Sequence, residues 1–193
     1  MQNTSSKRKG MLAHRYNQGF TLVEMIITVA IAAIVLGMGV PGFQQLIRAN
    51  RTVTEVNRLV TALSLARSEA VKRNATVAMC RASGSNCSNG VGNNWETGWV
   101  VFTDNVTQNG TIDAGEQTLQ VYEGMPQGYT LRPGPTFANW IAFQPTGQML
   151  GSGGAATDSF RVCDDTGTGA ERRLIQVNVV GRANASKTAG ACI

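Results

Sequence analysis

From Gly19 to Val40 the chain is almost continuously apolar, GFTLVEMIITVAIAAIVLGMGV, and the one ionisable residue in that run is Glu24. No charge occurs from Met25 to Ile47. A helix of those residues, at about 1.5 Å each, extends roughly 34 Å, enough to cross a hydrocarbon core. A carboxylate inside such a span costs at least ~2.5 kcal/mol in lipid, so Glu24 needs a partner. The leader before the span is polar and basic, carries Lys7, Arg8, Lys9 and Arg15, and reads as disordered.

Past the span the pattern turns amphipathic. Val53, Val56, Val60, Leu63, Ala66 and Ala70 recur every three or four residues, while Arg51, Glu55, Arg58, Glu69, Lys72 and Arg73 fall mainly elsewhere. One helix of about 50 residues should therefore have a membrane half and a half whose apolar stripe lies on a globular domain. Asn74 is its expected stop, and Glu69 with Arg73 forms an i,i+4 pair in the favourable order. Pro41, flanked by Gly37, Gly39 and Gly42, should kink or locally melt the helix, because proline removes a backbone hydrogen bond and clashes with the preceding turn. After Asn74, short β-branched and aromatic runs are broken by Gly, Asn and Pro. The expected strands are Thr76–Arg81, Trp99–Asp104, Gln117–Glu123, Tyr129–Arg132, Trp140–Gln144, Ser159–Cys163 and Arg173–Val180. No helical pattern separates them, which predicts an α+β fold of antiparallel sheets packed on the helix stripe. Ser83–Asn94 and Gly147–Thr157 read as exposed, mobile loops.

GFTLVEMIITVAI resembles the N-terminal signature of type IV pilins and type II secretion pseudopilins. In that family a prepilin peptidase cuts after the glycine and methylates the new N-terminal phenylalanine. The resemblance implies cleavage between Gly19 and Phe20, N-methylphenylalanine at Phe20, and Glu24 as the fifth mature residue. The family uses that glutamate to neutralise the N-terminal amine of a neighbouring subunit, and two opposite charges in an apolar fibre core are tolerable only together. Pro41 stands where pilin-like proteins have a proline, at which family fibres loosen the helix. An ordinary signal peptide is cut after its apolar core, whereas Gly19 precedes this one.

A narrower resemblance begins at Leu65-Ala66-Arg67-Ser68-Glu69-Ala70-Val71-Lys72-Arg73-Asn74, which matches the end of this helix in GspH/FimT/FimU-type minor pilins. Trp95 with Gly98-Trp99-Val100-Val101-Phe102-Thr103-Asp104, Phe143 with Pro145 and Gly147, Arg161-Val162-Cys163 and Gly181-Arg182 continue it. The implied organisation is type IV pilin-like. It comprises a removed leader at 1–19, a transmembrane and fibre-core helix at 20–47, an amphipathic continuation at 48–74, and a β-rich periplasmic or extracellular domain at 75–193. The implied function is that of a minor pilin for type IV pilus assembly or initiation. Such a subunit sits in the bacterial inner membrane as a single pass with a periplasmic C-terminus, then enters the fibre. Minor pseudopilin H of type II secretion is the alternative, and a DNA-binding minor pilin for natural transformation is a third. The implied partners are the prepilin peptidase, other major and minor pilins or pseudopilins, the inner membrane and, in the third case, DNA.

Charge and cysteines narrow the chemistry. Without the four leader cations, 13 Lys+Arg face 12 Asp+Glu, which argues against a general polyanion-binding surface. Arg172, Arg173, Arg182 and Lys187 could still gather at one strand tip. In FimT-like minor pilins a GRxR-type segment there contacts DNA; this chain has Gly181-Arg182-Ala183-Asn184, with asparagine where the second arginine would stand. Fewer cations mean fewer phosphate contacts. The four cysteines, Cys80, Cys87, Cys163 and Cys192, all follow the span, where an even count favours disulfides. Three pairings are open, with Cys80–Cys87 and Cys163–Cys192 preferred and buried thiols the other reading. No CxxC occurs and the only histidine, His14, is in the leader, so neither a metal, a cofactor nor a Ser-His or Cys-His pair is expected, and the chain does not read as an enzyme. Asp164–Asp165 reads as a solvated turn. Asn105–Glu116 has calcium-loop spacing without its aspartates and reads as a hairpin with a turn at Asn109-Gly110. Trp95, Trp99 and Trp140 are expected to fill the core between sheet and helix.

Overall fold

The computed structural model describes residues 19–88, 94–154, 157–164 and 172–188. The leader, Asp165 and Cys192 lie outside the described residues. The chain divides into two compact units, Met1–Phe43 and Gln44–Ile193. Helix α1 covers Leu22–Arg73. Its start is capped by Thr21, whose hydroxyl accepts the Glu24 amide at 3.2 Å. Thr21-Leu22-Val23-Glu24 is thus a capping-box sequence, and one of the four orphan amides of the first turn finds its partner there. The backbone is helical throughout Gly37–Gly42, so the locally melted stretch is absent from the free chain. Proline removes only its own hydrogen bond, and the flanking ladder carries the helix through.

The far end of α1 stops at Asn74, as its sequence position suggests. Asn74 adopts φ 51°, its amide donates to the Val71 carbonyl at 3.4 Å, and Ala75 donates to the Ala70 carbonyl at 3.2 Å. This is a Schellman motif, with asparagine taking the left-handed position usually held by glycine. Along the second half, Val56, Leu59, Ala62, Leu63, Ala66 and Ala70 are buried. The stripe is rotated from the expected one. Leu59 and Ala62 belong to it, Val53 is 36% exposed, and Val60 packs only at its margin. Glu55, expected on the polar face, is buried beside Arg58.

Among the described residues ten strands follow: β1 Val77–Ser83, β2 Asn86–Cys87, β3 Gly98–Thr103, β4 Thr118–Glu123, β5 Thr130–Pro133, β6 Trp140–Phe143, β7 Met149–Gly151, β8 Asp158–Cys163, β9 Arg173–Val177 and β10 Ala183–Lys187. They form two sheets with antiparallel pairing, ordered β4-β3-β1-β6-β7, with β2 on the end of β1, and β10-β9-β8-β5. Val77, Met79, Trp99, Val101, Ile141 and Phe143 point into one core with the α1 stripe. The second sheet adds Leu131, Phe160, Val162, Ile175 and Val177 to that core. The alternate residues Ala78, Cys80, Val100, Phe102 and Ala142 form a second, smaller core on the opposite face of the larger sheet. Burial on both faces explains why β1, β3 and β6 read as unbroken apolar runs.

Several expectations shift. The segment expected as a loop over Ser83–Asn94 contains β2, and the one over Gly147–Thr157 contains β7 with Met149 buried. Arg173–Val180 ends early at Val177; Asn178–Gly181 turns, with the Gly181 amide donating to the Asn178 carbonyl at 2.8 Å, and β10 returns beside β9. Trp95 and Trp99 are buried in the main core, but Trp140 is half-buried on the other face, against Gly110. A Cβ at Gly110 would stand 2.1 Å from the Trp140 ring, at φ +73°.

Leu59→Ala should destabilise the domain by about 2–5 kcal/mol, and Val53→Ala by well under about 1 kcal/mol. Denaturant unfolding of both variants checks which face α1 buries.

Candidate assembly site

In the first unit the large apolar side chains of α1 are exposed. Phe20 is 80% exposed, and every large apolar residue from Leu22 to Val40 is at least half exposed. The helix is long and apolar enough to cross a membrane. Glu24 is exposed among these residues and makes no ion pair among the described residues. Its amide is held by Thr21, which sequence reasoning missed although the T-x-x-E spacing carries that signal.

In the second unit α1 is held to the sheets by arginines as well as by its stripe. The Arg58 guanidinium donates to the Glu55 carboxylate at 2.5 Å and to the Glu123 carbonyl at 2.7 Å. It lies 5.4 Å from the Trp99 ring centroid, and Trp99 stacks on Tyr122 at 5.6 Å. Burial pushes the Tyr122 phenol above its ordinary pKa. Arg67 donates to the Gly147 carbonyl at 3.2 Å. Arg73 donates to Glu69 at 2.5 Å and to the Gln117 side chain at 3.1 Å. The hydrogen bond from Arg73 holds the Glu69 carboxyl below the usual range. A charged residue on a helix flank looks solvated in sequence; contacts to backbone carbonyls far along the chain leave no local trace.

The remaining candidates separate. Cys80 and Cys87 form a disulfide with Cα atoms 5.5 Å apart, closing the β1–β2 hairpin. Cys163 is also disulfide-bonded; its expected partner, Cys192, lies outside the described residues. Asp164 is buried, contrary to a solvated turn, and Asp165 lies outside the described residues. Asn105–Glu116 is not a two-residue hairpin. It is an irregular loop closed by its own carboxylates. Asp104 accepts the Asn109 and Gly110 amides at 3.2 and 2.9 Å, and Glu116 accepts those of Val106 and Asp113 at 3.1 and 2.9 Å. Asp113 accepts the Thr107 hydroxyl and the Asn109 side-chain amide. Among the described residues no group of three or more His, Cys, Asp or Glu is placed to hold a metal ion. The four cations expected at one tip do not meet there. Lys187 pairs with Arg173, and Thr188 donates to the Arg172 carbonyl, so these lie at one end of the β9–β10 hairpin. Arg182 stands at the other end, about 17 Å away at ~3.4 Å per residue.

The family described as Type II transport protein GspH matches residues 55–181, about two thirds of the chain. The chain belongs to the GspH family. A prokaryotic N-terminal methylation motif matches residues 14–40, spanning the Gly19-Phe20 boundary and Glu24. Two crystal structures of the type IV minor pilin FimU from Pseudomonas aeruginosa share the fold of this GspH-family chain. The P21 form aligns with TM-score 0.55 at 19% identity, covering 78% of this chain and 99% of that one. The P65 form aligns with TM-score 0.51 at 18% identity, covering 71% and 96%. No curated protein matches significantly. With its GspH-family match and its N-terminal methylation motif, the chain is of the minor pilin and pseudopilin class, a family of structural subunits.

Asp104 gives a pH test of the loop. Burial raises its pKa above the ordinary 3.8, more than its bonds to Gly110 and Asn109 lower it. The folded chain therefore binds this proton before the unfolded chain does, and stability rises as pH falls through that window. Relative to Asp104→Asn, the wild type should gain melting temperature between about pH 7 and about pH 4. A gap that stays constant or moves the other way contradicts this assignment.

Proposed function

We propose that the chain is a non-catalytic minor pilin of a type IV pilus. It is cut between Gly19 and Phe20, methylated at Phe20, held in the inner membrane by 20–47 with its C-terminal domain in the periplasm, and then drawn into the fibre. The observation that carries this reading is Glu24. It is a carboxylate with no ion-pair partner among the described residues, four residues from the amine that cleavage would expose, on a helical stretch whose apolar side chains are exposed from Leu22 to Val40. Inside a fibre the Glu24 carboxylate would meet the Phe20 amine of the adjacent subunit, and burying that pair would set the axial stagger. Gly37–Gly42, helical in the free chain, would open at Pro41 during packing.

The family's own description favours a second reading, minor pseudopilin H of type II secretion, for which the same helix and processing would serve. Of the four cations expected to act together in DNA binding, Arg182 is separated by β-pairing from Arg172, Arg173 and Lys187.

Glu24→Leu should leave cleavage intact, seen as an N-methylated Phe20 by mass spectrometry, while reducing the subunit in sheared fibres about tenfold or more. Wild-type incorporation of the variant would overturn the role given to Glu24. A clean deletion that abolishes twitching and leaves exoprotein release intact supports the type IV assignment; the reverse pattern supports type II secretion.

A further inference from the structure

A groove of about 510 Å³ separates the C-terminal part of α1 from β10. Leu63, Val71 and Ala183 supply its apolar lining, and Arg67, Lys72 and Arg182 its charge; no carboxylate lines it. Lys72 is bridged loosely to Glu69 at 3.4 Å, but Arg67 and Arg182 have no carboxylate partner among the described residues. The groove is preformed. Gly181, at φ +77°, closes the turn beside it, and a Cβ there would come within 2.3 Å of the Gly147 carbonyl that also accepts from Arg67.

β10 is the edge of its sheet. The Asn178 amide donates to the Arg182 carbonyl at 3.1 Å, and the Thr188 amide to the Arg172 carbonyl at 3.2 Å. Hydrogen-bonded pairs alternate along an antiparallel ladder. Arg182, Asn184, Ser186 and Thr188 therefore turn their backbone groups to β9, while Ala183 and Ala185 turn theirs outward. Those outward amides and carbonyls have no partner among the described residues.

We infer that the β10 edge is a docking site for an extended segment of a partner protein that carries apolar and acidic side chains together on the one face it turns to the groove. Such a segment would add a strand to β10, answer both the amides and the carbonyls of Ala183 and Ala185, seat apolar side chains over Leu63 and Val71, and bring carboxylates to Arg67 and Arg182. A nucleic acid fits less well. Its phosphates only accept, so they leave the outward carbonyls unanswered, and an apolar lining gives them nothing. The site is independent of Glu24 and of the fibre system in which the chain works.

The test uses the full-length chain in detergent micelles and fluorescence anisotropy of a labelled peptide of repeated valine-serine-glutamate-serine, which puts valine and glutamate on one strand face, with empty micelles as blank. Saturable binding is expected, with the same peptide carrying lysine for glutamate and an oligo-dT strand at least about tenfold weaker. Ala185→Pro removes an amide that β9 does not use, a position where sheets tolerate proline. It should weaken the acidic peptide about tenfold at unchanged melting temperature, as should Arg182→Glu. If Ala185→Pro melts early, Arg182→Glu decides. The inference is overturned if the acidic peptide shows no saturable binding, if the deciding variant binds like wild type, or if oligo-dT displaces the peptide at lower concentration than the peptide itself.

Discussion

The first half of α1 presents an apolar surface with no counterpart among the described residues. At roughly 1.5–3 kcal/mol for each large apolar side chain, leaving the residues from Phe20 to Ile47 in water costs on the order of tens of kcal/mol. That constraint fixes what the rest must do, because the helix has to be covered by lipid or by copies of itself. The two covers are nearly equivalent for leucine and isoleucine, since lipid tails are as apolar as those side chains. They are not equivalent for Glu24. Lipid offers a carboxylate no partner, whereas a neighbouring amine does. On the proposed reading, the apolar surface permits transfer from membrane to fibre, and one charge gives that transfer its direction.

The second half of α1 meets the opposite condition. Ala62, Ala66 and Ala70 keep its buried face narrow, so two sheets can close on it, and the large residues of the core come mostly from the strands. Trp95 meets Phe160 edge-on at 5.1 Å, Phe137 stacks on Phe160 at 5.2 Å, and the Trp95 indole donates to the Ala138 carbonyl at 3.1 Å. Arg58, Arg67 and Arg73 then tie the flanks of the helix to Glu123, Gly147 and Gln117. One helix thus carries two jobs in sequence, with residues 20–47 left for other molecules and residues 48–73 committed to the chain's own domain.

These two halves differ in how far they can be read without coordinates. The span, Glu24 and the stop at Asn74 were legible because each rests on local chemistry: continuous apolarity, a lone charge, an asparagine that tolerates positive φ. So were β1, β3 and β6, whose burial on both faces leaves dense apolar runs. The rotation of the stripe toward Leu59 was not, because Val53 and Val60 fit a helical period equally well and only the sheets choose between them. β2, β7 and β10 were missed for a related reason. Asn86–Cys87, Met149–Gly151 and Ala183–Lys187 have little β-propensity, and their conformation comes from the strand each one pairs with. The cation cluster failed with β10, because a return strand carries Arg182 to the far end of the hairpin from Lys187.

The weakness of β10 as a strand also bears on what can pair with it. An exposed edge is ordinarily a liability, since any second edge can complete it. Here, two copies joined antiparallel about Ala185 would set Ala183 of one opposite Lys187 of the other and Asn184 opposite Ser186, since facing residues must turn their backbone groups the same way. Those small or polar pairs offer little side-chain area to hold two such edges together. A segment bearing carboxylates meets the reverse sign at Arg182, and also reaches the apolar groove that two β10 edges would leave empty. This edge thus gains little from self-association and is drawn by Arg182 and the groove toward an acidic, apolar strand, so specificity at this edge needs no strong β-former within it.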